Sequence, residues 1–462
     1  MEDNHKSALP HDFLNQMESL LGEKGLEDFL KSMRAAPSTV IRHNPYKVCE
    51  VPAALPRVPW CEDAVVLEKR PVFTLDPMFH GGAYYVQEAS STFIHHILGS
   101  INVSGLFLDL CAAPGGKSTI LSSFLGHEGL LVANEVIKNR SQILRENIIK
   151  WGLGNTVVSQ NDPAQFSALQ GAFDLVLVDA PCSGEGMFRK DPLAVSEWSS
   201  EHVKLCAGRQ SRILEQAASL PRDGGYLIYA TCTYNTQENE ENIKKLVELF
   251  SYQPVKIPIN KDWGILEQAI PAHGDTYYSY RFFPHLLEGE GLFVCVLKRN
   301  SPMPDAVMKK SHEFKHPFLK RTSRKALEEK KLPDITFPFE PAFYHLDEVH
   351  FAINSNWAPM FENIATSLNI KYFGTELGQS VRNQFNPAHA WALSVLSKGG
   401  YPTAALDLET ALSYLKRETI QPPGCPEGWV LVKYGDLPLG WIKNLGSRSN
   451  NYYPKEWRVR MQ

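Results

Sequence analysis

The sequence lacks the marks of several large classes of protein. Its eight cysteines form no CxxC pair, so their spacing fits neither a zinc site nor the disulfide framework of a secreted domain, and no metal is expected. No apolar run reaches the ~18 residues needed to cross a bilayer, and the opening MEDNHKSALP holds no apolar segment of a secretory signal. Internal repeats and low-complexity tracts are also absent from the sequence. These absences predict a cytoplasmic globular protein with reduced thiols and no membrane partner.

The charge of the chain is weakly acidic overall but uneven along its length. A net charge of −4 over 462 residues does not by itself indicate a nucleic-acid binder, and the length suggests about three domains. Residues 301–332, however, hold nine basic residues against four acids. The nine are Lys309, Lys310, Lys315, Lys320, Arg321, Arg324, Lys325, Lys330 and Lys331. A segment of this kind either contacts phosphates or forms a solvated linker, and the sequence leaves both open.

From about Leu106, short apolar runs alternate with longer amphipathic ones. The strand-like runs are LFLDL, LLVANE, TVVSQ, DLVLVDA, GGYLIYATCT and GLFVCVLKR. Helices are predicted between them, from Lys117 and over residues 138–150, 196–219 and 236–250. Strands alternating with helices indicate βαβ units, hence an α/β fold with a doubly wound parallel sheet. Ligands of such sheets bind at the carboxyl ends of the strands, where every motif described below lies.

The two ends of the chain differ from this central pattern. Residues 12–33 have apolar residues at helical spacing, and a stretch with Pro52, Pro56, Pro59 and Pro71 follows, which predicts a small irregular N-terminal domain. Residues 425–462 combine short apolar runs with Gly and Pro turns, which predicts a β-rich module. Its end is basic and aromatic, with Lys443, Arg448, Tyr452, Tyr453, Lys455, Trp457, Arg458 and Arg460. Such a tail either contacts phosphates and stacks on bases or packs on a neighbouring domain.

A glycine-rich loop follows the first predicted strand. In DLCAAPGGKST, Asp109 to Thr119, Gly115 and Gly116 allow a ligand to approach the backbone, and the following helix N-terminus favours negative charge. The segment imitates a phosphate-binding GxxxxGK[ST] loop, but Cys111 stands where the first glycine is required. The GxGxxG of a dinucleotide fold is absent as well. An NTPase is disfavoured and stays a competing interpretation.

Acidic residues recur at the ends of the strands that follow. Glu135 ends the second strand, Asp162 follows the third and Asp179 closes the fourth. In a doubly wound sheet the acid after the second strand can bind a ribose hydroxyl pair, and Asp162 would lie near an adenine edge. Each acid alone could equally cap a helix or face water. Together, beside a glycine-rich loop, they favour a nucleoside cofactor over a diphosphate one.

Two cysteines lie in motifs that core packing does not explain. Cys182 lies in DAPCSGEG (Asp179–Gly186) and Cys232 in ATCTYN (Ala230–Asn235), each at a strand end. A lone buried cysteine is usually a small hydrophobic residue. That interpretation suits the cysteines outside these motifs and the glycine-rich loop, which are Cys49, Cys61, Cys206, Cys295 and Cys425. Cys182 and Cys232 are predicted to face one site.

These motifs resemble those of a known family. DLCAAPGGKST, VDAPCSGEGMFRKDP, YATCTYNTQENE and RFFPHLLEGEGLFVCVLKR are similar to segments of the RNA cytosine-5 methyltransferases of the NOL1/NOP2/Sun group, over about residues 35–300. VIRHNPYK resembles that group's Arg-x-Asn motif, with Pro45 in place of a more usual Thr, and YVQEASS (Tyr85–Ser91) resembles the segment before its cofactor domain. The C-terminal region is similar to that of the bacterial ribosomal RNA methyltransferase F branch, which carries a PUA-like RNA-binding module.

The resemblance implies an architecture of four parts. We expect a small N-terminal α+β, RNA-binding subdomain over 1–80 and a Rossmann-like class I methyltransferase domain over 81–300. A basic linker over 301–335 and a C-terminal region over 336–462, ending in a PUA-like module, would follow. A monomer is the default state in the group.

The resemblance also implies the chemistry and the cofactor, S-adenosyl-L-methionine (AdoMet). A methyl group would pass to cytosine C5 in RNA, with 16S ribosomal RNA the first expectation and tRNA the second. Cys232 would be the nucleophile that adds to C6, Asp179 would hold the base, and Cys182 would assist product release. The cofactor would be lined by Cys111, Ala112, Ala113, Pro114, Gly115, Gly116, Lys117, Glu135, Asp162 and Asp179.

Two further alternatives stay open at this point. A DNA cytosine-5 methyltransferase carries its nucleophile in a Pro-Cys dipeptide, which would transfer that role to Cys182. A non-catalytic RNA-binding factor of ribosome assembly could keep the fold without the reaction, although the two cysteines and three acids disfavour this.

Overall fold

The structure is a computed structural model, and it describes residues 9–48, 54–301, 314, 316–329, 332–333, 335–382, 384–398 and 400–461. These residues form four sheets with helices packed against them. Some residues singled out in the sequence lie outside the described ranges, namely Cys49, Pro52, Lys309, Lys310, Lys315, Lys330 and Lys331. Within the described ranges, no helix is both long and apolar enough to span a bilayer.

The N-terminal domain is a small antiparallel sheet preceded by a long helix. Its elements are α1 (His11–Ser32), β1 (Thr39–His43), β2 (Arg57–Val58), β3 (Cys61–Leu67), α2 (Pro77–His80) and β4 (Tyr84–Gln87). The strand order is β2-β3-β1-β4, and α1 bends at Gly22, whose φ is 72°. The expected small α+β domain is present and is more regular than its prolines suggest. Pro56 and Pro59 flank the short β2, whose pairing with β3 shifts register between Arg57 and Val58, and Pro71 lies beyond the end of β3.

The central domain is built on a doubly wound sheet, as predicted. Its elements are α3 (Phe93–Ile101), β5 (Leu106–Asp109), α4 (Gly116–Leu125), β6 (Leu130–Asn134), α5 (Lys138–Trp151), β7 (Thr156–Ser159), β8 (Phe173–Asp179), α6 (Pro192–Glu197), α7 (Ser200–Ala217), β9 (Pro221–Thr231), α8 (Glu240–Leu249), β10 (Tyr252–Pro254), β11 (Leu266–Ala272), β12 (Asp275–Phe282) and β13 (Leu292–Arg299). Five strands are parallel, in the order β7-β6-β5-β8-β9. Strands β6 and β7 are added on one side of β5, and β8 and β9 on the other. The strand order therefore reverses between β5 and β8, and a ligand site is expected at this reversal point.

Several details of this domain differ from the prediction. The sheet is mixed, because β13, the hairpin β11–β12 and the short β10 extend it with antiparallel strands. The helix predicted over 196–219 is two helices, because Ser199 breaks the run and caps α7 by accepting from the His202 N–H. The helix predicted from 236 begins only at Glu240, and the residues before it serve the site described below.

Two further sheets follow the central domain. The segment that forms the first contains β14 (Leu319–Thr322), α9 (Arg324–Glu329), β15 (Pro341–Leu346), β16 (Val349–Asn354), α10 (Ala358–Ser367), β17 (Ile370–Phe373), β18 (Thr375–Val381), β19 (Gln384–Pro387) and α11 (His389–Leu393). The strand order of this sheet is β14-β15-β16-β18-β19. Strand β17 belongs instead to the central sheet, where it pairs antiparallel with β7 and covers that edge. The proposed linker 301–335 is therefore partly structured, since β14 pairs with β15.

The C-terminal module is β-rich, as predicted. It comprises β20 (Thr403–Leu406), α12 (Leu408–Leu415), β21 (Gly428–Tyr434), β22 (Leu437–Asn444) and β23 (Ser449–Asn451). Two tyrosines of its aromatic tail differ in burial. Tyr453 is buried, and its hydroxyl lies 3.2 Å from His80 Nδ1 of the N-terminal domain. Tyr452 is 43% exposed and packs edge-on against Trp429.

The Arg-x-Asn motif joins the N-terminal domain to the central one. Arg42 is buried, donates to Thr119 Oγ1 at 2.5 Å and lies 4.6 Å from the Trp151 ring. Burial lowers its pKa to about 10, so it stays a cation at neutral pH. Asn44 Nδ2 donates to the carbonyl of Trp151 at 2.9 Å. The motif therefore clamps α4 and α5, the two helices that follow the glycine-rich loop and the second strand.

Candidate active site

The two cysteine motifs meet at the carboxyl ends of β8 and β9. Cys182 Sγ and Cys232 Sγ lie 3.0 Å apart, and both side chains are partly exposed. Adjacent parallel strands bring their following loops together, which explains the contact. The seven described cysteines are free thiols; among them Cys61, Cys206 and Cys295 are buried, as expected for packing residues. The predicted pair is thus brought together.

The surroundings of the Cys182 sulfur act strongly on its protonation. The hydrogen bond to Cys232, together with burial, holds the pKa of Cys182 well above its ordinary value. Cys182 therefore keeps its proton at neutral pH and can donate it to Cys232 Sγ. A pair with one persistent thiol suits a division of labour between an attacking sulfur and a proton-bearing one.

Glu185, which sequence reasoning passed over, fastens the two cysteine loops to each other. Its carboxylate is fully buried and accepts from the backbone N–H groups of Tyr234 at 2.8 Å and Asn235 at 3.0 Å. It also accepts from Trp198 Nε1 at 3.0 Å. Glu185 belongs to the Pro-Cys loop, whereas Tyr234 and Asn235 follow Cys232. The carboxylate therefore fixes the position of the Cys232 loop relative to Cys182.

A second buried carboxylate, Glu238, was also missed. It accepts from the Ser183 N–H at 3.0 Å, from Gln210 Nε2 at 2.6 Å and from Asn235 Nδ2 at 2.7 Å. Burial raises its pKa, and the hydrogen bonds from Ser183 and Asn235 oppose that rise. Glu185 lies in the motif of Cys182, and Glu238 lies in the motif of Cys232. An acidic residue a few positions after each cysteine was the sequence signal that could have identified them.

Gly186 marks the closest approach of the two loops. Its N–H donates to the Cys232 carbonyl at 2.8 Å, and a Cβ there would lie 2.8 Å from that oxygen and from the Gly291 carbonyl. We expect Gly186→Ala to lower the free energy of unfolding by about 1–3 kcal/mol through overpacking. Urea denaturation measures this, with the helical Gly208→Ala, which meets nothing within 4 Å, as the control. Equal stability of the two variants would mean that the two loops can move apart to accommodate the added methyl group without any loss of folding free energy.

The glycine-rich loop is held from two sides. Ala112 N–H donates to the Asn134 carbonyl, Arg140 Nη2 donates to the Ala113 carbonyl and Asn147 Nδ2 donates to the Pro114 carbonyl, each at 2.8 Å. Gly115 has a φ of 116°, a conformation that favours glycine, and precedes the N-terminus of α4. The loop is therefore rigid before any ligand binds.

Lys117 and Asp179 form an ion pair across the reversal point of the sheet. Lys117 Nζ lies 2.7 Å from Asp179 Oδ2, and only 12% of the lysine side chain is exposed. Burial alone would lower the pKa of Lys117, but the charge and hydrogen bond of Asp179 outweigh it and raise the pKa above its ordinary value. Cys232 contributes in the same direction. A permanent cation thus lies near the Cys232 sulfur.

The predicted acids do not all reach the same cavity. A cavity of 390 Å³ is lined by Cys111, Ala113, Pro114, Lys117, Asp179, Cys182 and Cys232, with Glu88, Glu290 and others. Glu135 is buried beside it and pairs with Arg140 at 3.3 Å. Asp162 is exposed and caps a short 3-10 helix by accepting from the Ala164 N–H at 3.0 Å. Asp162 therefore caps a helix, as the sequence allowed, and it does not line this cavity.

Asp109, at the end of β5, is an unusual buried acid. Its Oδ2 accepts from Ser118 Oγ at 2.6 Å, whereas its Oδ1 is buried with no partner among the described residues. Burial raises its pKa to about 7, against the opposing effect of the Ser118 hydrogen bond. Cys111 next to it also has a raised pKa, through burial and the nearby acids. The region therefore favours an incoming cation or hydrogen-bond donor.

This raised pKa predicts a pH-dependent stability. Below pH ~4 the Asp109 carboxyl is protonated in both the folded and the unfolded chain. From there to about pH 7 the folded state binds more protons, so its stability falls as the pH rises. We expect wild type to lose up to about 4 kcal/mol relative to Asp109→Asn between pH 4 and pH 8. Chemical denaturation of the ligand-free proteins at several pH values measures this. A constant difference would show that Asp109 is ionised throughout.

Models of known families match three segments of the chain. The model described as "16S rRNA methyltransferase RsmB/F" matches residues 100–298. The model "N-terminal domain of 16S rRNA methyltransferase RsmF" matches residues 9–89, and "Methyltransferase RsmF PUA domain" matches residues 401–459. The predicted fold, a Rossmann-like methyltransferase domain between an N-terminal domain and a C-terminal PUA module, is thereby confirmed.

Whole-chain relatives agree with these matches. A protein of Salmonella agona named "Ribosomal RNA small subunit methyltransferase F" is 30% identical and covers 98% of this chain and 97% of its own. One of the same name from Aeromonas salmonicida is 29% identical, with 99% and 98% covered. A methyltransferase homologue from Pyrococcus horikoshii has a TM-score of 0.52 and 26% identity, with 62% of this chain and 94% of its own covered. The chain belongs to the family of ribosomal RNA small subunit methyltransferase F.

Proposed function

We propose that this protein transfers a methyl group from AdoMet to C5 of a cytosine in RNA, with 16S ribosomal RNA as the substrate. The observation that carries the proposal is the 3.0 Å contact between Cys182 Sγ and Cys232 Sγ at the carboxyl ends of β8 and β9. The Lys117–Asp179 ion pair lies beside it. The names of the relatives support the choice of small-subunit ribosomal RNA. Both thiols and the glycine-rich loop come from one chain, which agrees with a monomer.

The residues at the cavity fit AdoMet. The carboxylates of Glu88, Asp179 and Glu290 line the cavity and suit the positive charge and the N–H donors that AdoMet carries. The cofactor would be held by loop 111–117, with Glu135, Asp162 and Asp179 at the ends of the neighbouring strands. When bound, AdoMet supplies an electrophilic methyl group.

Cys232 has the position of a nucleophile. Cytosine C5 is too weak a nucleophile until a sulfur adds to C6, because that addition converts the C5–C6 double bond into an electron-rich enamine. Lys117 places a positive charge near the Cys232 sulfur, and Asp179 can hold the base near N3 and N4 as charge develops on the ring. Substrate binding would then place C6 over Cys232 Sγ, inside the 390 Å³ cavity.

Release of the product requires two changes. The C5 proton must leave to a base, and the electron pair of that C–H bond then reforms the C5–C6 double bond and expels the Cys232 thiolate. Cys182, which keeps its proton because of its raised pKa, can donate to Cys232 Sγ and stabilise the departing thiolate. The target base has to be unpaired or flipped out to reach these groups.

The alternatives predict different outcomes in cells. We expect bisulfite sequencing of total RNA to show that deletion of the gene removes 5-methylcytosine from 16S ribosomal RNA and leaves tRNA unchanged. Loss from tRNA alone would favour the tRNA alternative. Unchanged RNA, together with no AdoMet binding by calorimetry, would favour a non-catalytic assembly factor. Melting shifts with ATP but not with AdoMet would establish an NTPase.

A further inference from the structure

We infer that Gln16, on the N-terminal helix α1, positions the nucleophile Cys232 through Glu185. This inference rests on the proposed function, since it concerns the rate at which Cys232 adds to cytosine. It extends that function by assigning to the N-terminal domain a part in the chemical step, beyond any contact with RNA.

The Gln16 amide contacts both carboxylate oxygens of Glu185 directly. Gln16 Nε2 lies 3.1 Å from Glu185 Oε1 and 3.1 Å from Oε2. Glu185 is fully buried, so every donor that reaches its carboxylate offsets part of the cost of burying the charge. Its other donors include the N–H groups of Tyr234 and Asn235, two and three residues after Cys232. Gln16 is thus separated from the Cys232 loop by one carboxylate.

The helix that carries Gln16 is firmly docked on the central domain. Phe13, one helical turn before Gln16, is fully buried, with ring centroids 4.9 Å from Phe188 and 5.8 Å from Trp198. Phe29, near the end of α1, packs edge-on against Tyr234 at 5.4 Å. Helical spacing places positions 13, 16 and 17 on one face of α1. The part of α1 before the bend at Gly22 therefore holds the Gln16 amide against Glu185 through the buried packing of Phe13.

Loss of this donor should alter geometry more than folding. A buried carboxylate deprived of one donor shifts toward its remaining donors, and the Tyr234 and Asn235 N–H groups move with it. Displacement of a reacting group by as little as 1 Å can reduce a rate by about 100-fold. Because most of the Glu185 hydrogen bonds remain, we expect about a 10-fold loss. Gln16 does not line the 390 Å³ cavity, so substrate affinity should stay unchanged.

The test uses the full-length protein, unmethylated 16S ribosomal RNA and labelled AdoMet. Gln16→Leu should lower kcat about 10-fold with KM unchanged for both substrates. The rate of covalent adduct formation on RNA containing 5-fluorocytidine should fall by the same factor. Gln16→Lys, which keeps a donor for the carboxylate, should recover most of the rate. Asn15→Leu is the matched control, because Asn15 lies on the exposed face of the same helix and its amide hydrogen-bonds, within the described part of the chain, to His11.

The outcomes separate this inference from the proposed function. If Gln16→Leu has the kcat of wild type, or changes only KM or the melting temperature, Gln16 is not a positioning residue. If Asn15→Leu loses as much activity as Gln16→Leu, the effect belongs to the helix as a whole and the inference fails. If wild type itself forms neither 5-methylcytosine nor an adduct, the proposed function fails.

Discussion

Replacing Cys232 with alanine is expected to abolish methyl transfer while leaving the fold intact. Without the sulfur nothing adds to C6, and cytosine C5 stays unreactive, so we expect a loss of about 10⁴-fold or more. The side chain is partly exposed and its sulfur contacts Cys182 Sγ, so truncation leaves no large buried void. The backbone bond from Gly186 to the Cys232 carbonyl is retained. Methylation of 16S ribosomal RNA with labelled AdoMet measures the loss.

A second cysteine variant separates chemistry from packing in this experiment. Cys295 is fully buried in the central sheet, so Cys295→Ala should lower stability and leave the rate per folded molecule unchanged. Retained methylation by Cys232→Ala, combined with failure of Cys182→Ala to attack, would transfer the nucleophile role to the Pro-Cys dipeptide. That result would favour the mechanism of the DNA cytosine-5 enzymes.

Cys182→Ala is expected to trap the enzyme on its RNA. Addition of Cys232 to C6 and methyl transfer should proceed, but expulsion of Cys232 loses the thiol whose raised pKa keeps it protonated. We expect turnover to fall by about 100-fold or more, since a single acid–base group contributes roughly 10²- to 10⁴-fold. A covalent protein–RNA species should appear on a denaturing gel. The measurement is the fraction of protein shifted by RNA after incubation with AdoMet.

The double variant is the control for this trap. Cys182→Ala combined with Cys232→Ala should give no shifted species, because the bond to RNA requires the Cys232 sulfur. Normal turnover by Cys182→Ala would remove Cys182 from the mechanism. A trapped species that persists in the double variant would assign the covalent bond to another residue.

The sequence predicted the centre of the fold because its pattern there is local. Alternating apolar and amphipathic runs indicate βαβ units, and parallel strands bring their carboxyl-end loops together, so Cys182 and Cys232 could be placed in one site. The antiparallel additions were harder to predict. Strand β17 pairs with β7 across more than 200 residues of chain, and nothing in the residues of either strand specifies so distant a partner.

The supporting residues of the site were missed for a similar reason. Gln16 reaches Glu185 across 169 residues, and a glutamate in a polar loop is ordinarily assumed to face solvent. Asp162 carries a local preference as well as a predicted contact. Its position after the third strand predicts a cofactor contact. The proline that follows it also makes it a typical helix start, and its carboxylate accepts from the Ala164 N–H.

The identity of the sulfur that bonds to RNA tests the central claim most directly. The RNA-bound Cys182→Ala protein can be digested with nuclease and trypsin and its modified peptide sequenced by mass spectrometry. Trypsin separates the two candidates, because Cys232 lies in a peptide spanning 223–244 and position 182 in one spanning 151–189. We predict a nucleotide attached to Cys232 in the peptide 223–244. A nucleotide on any other peptide, or none on a protein that still methylates RNA, would contradict this account.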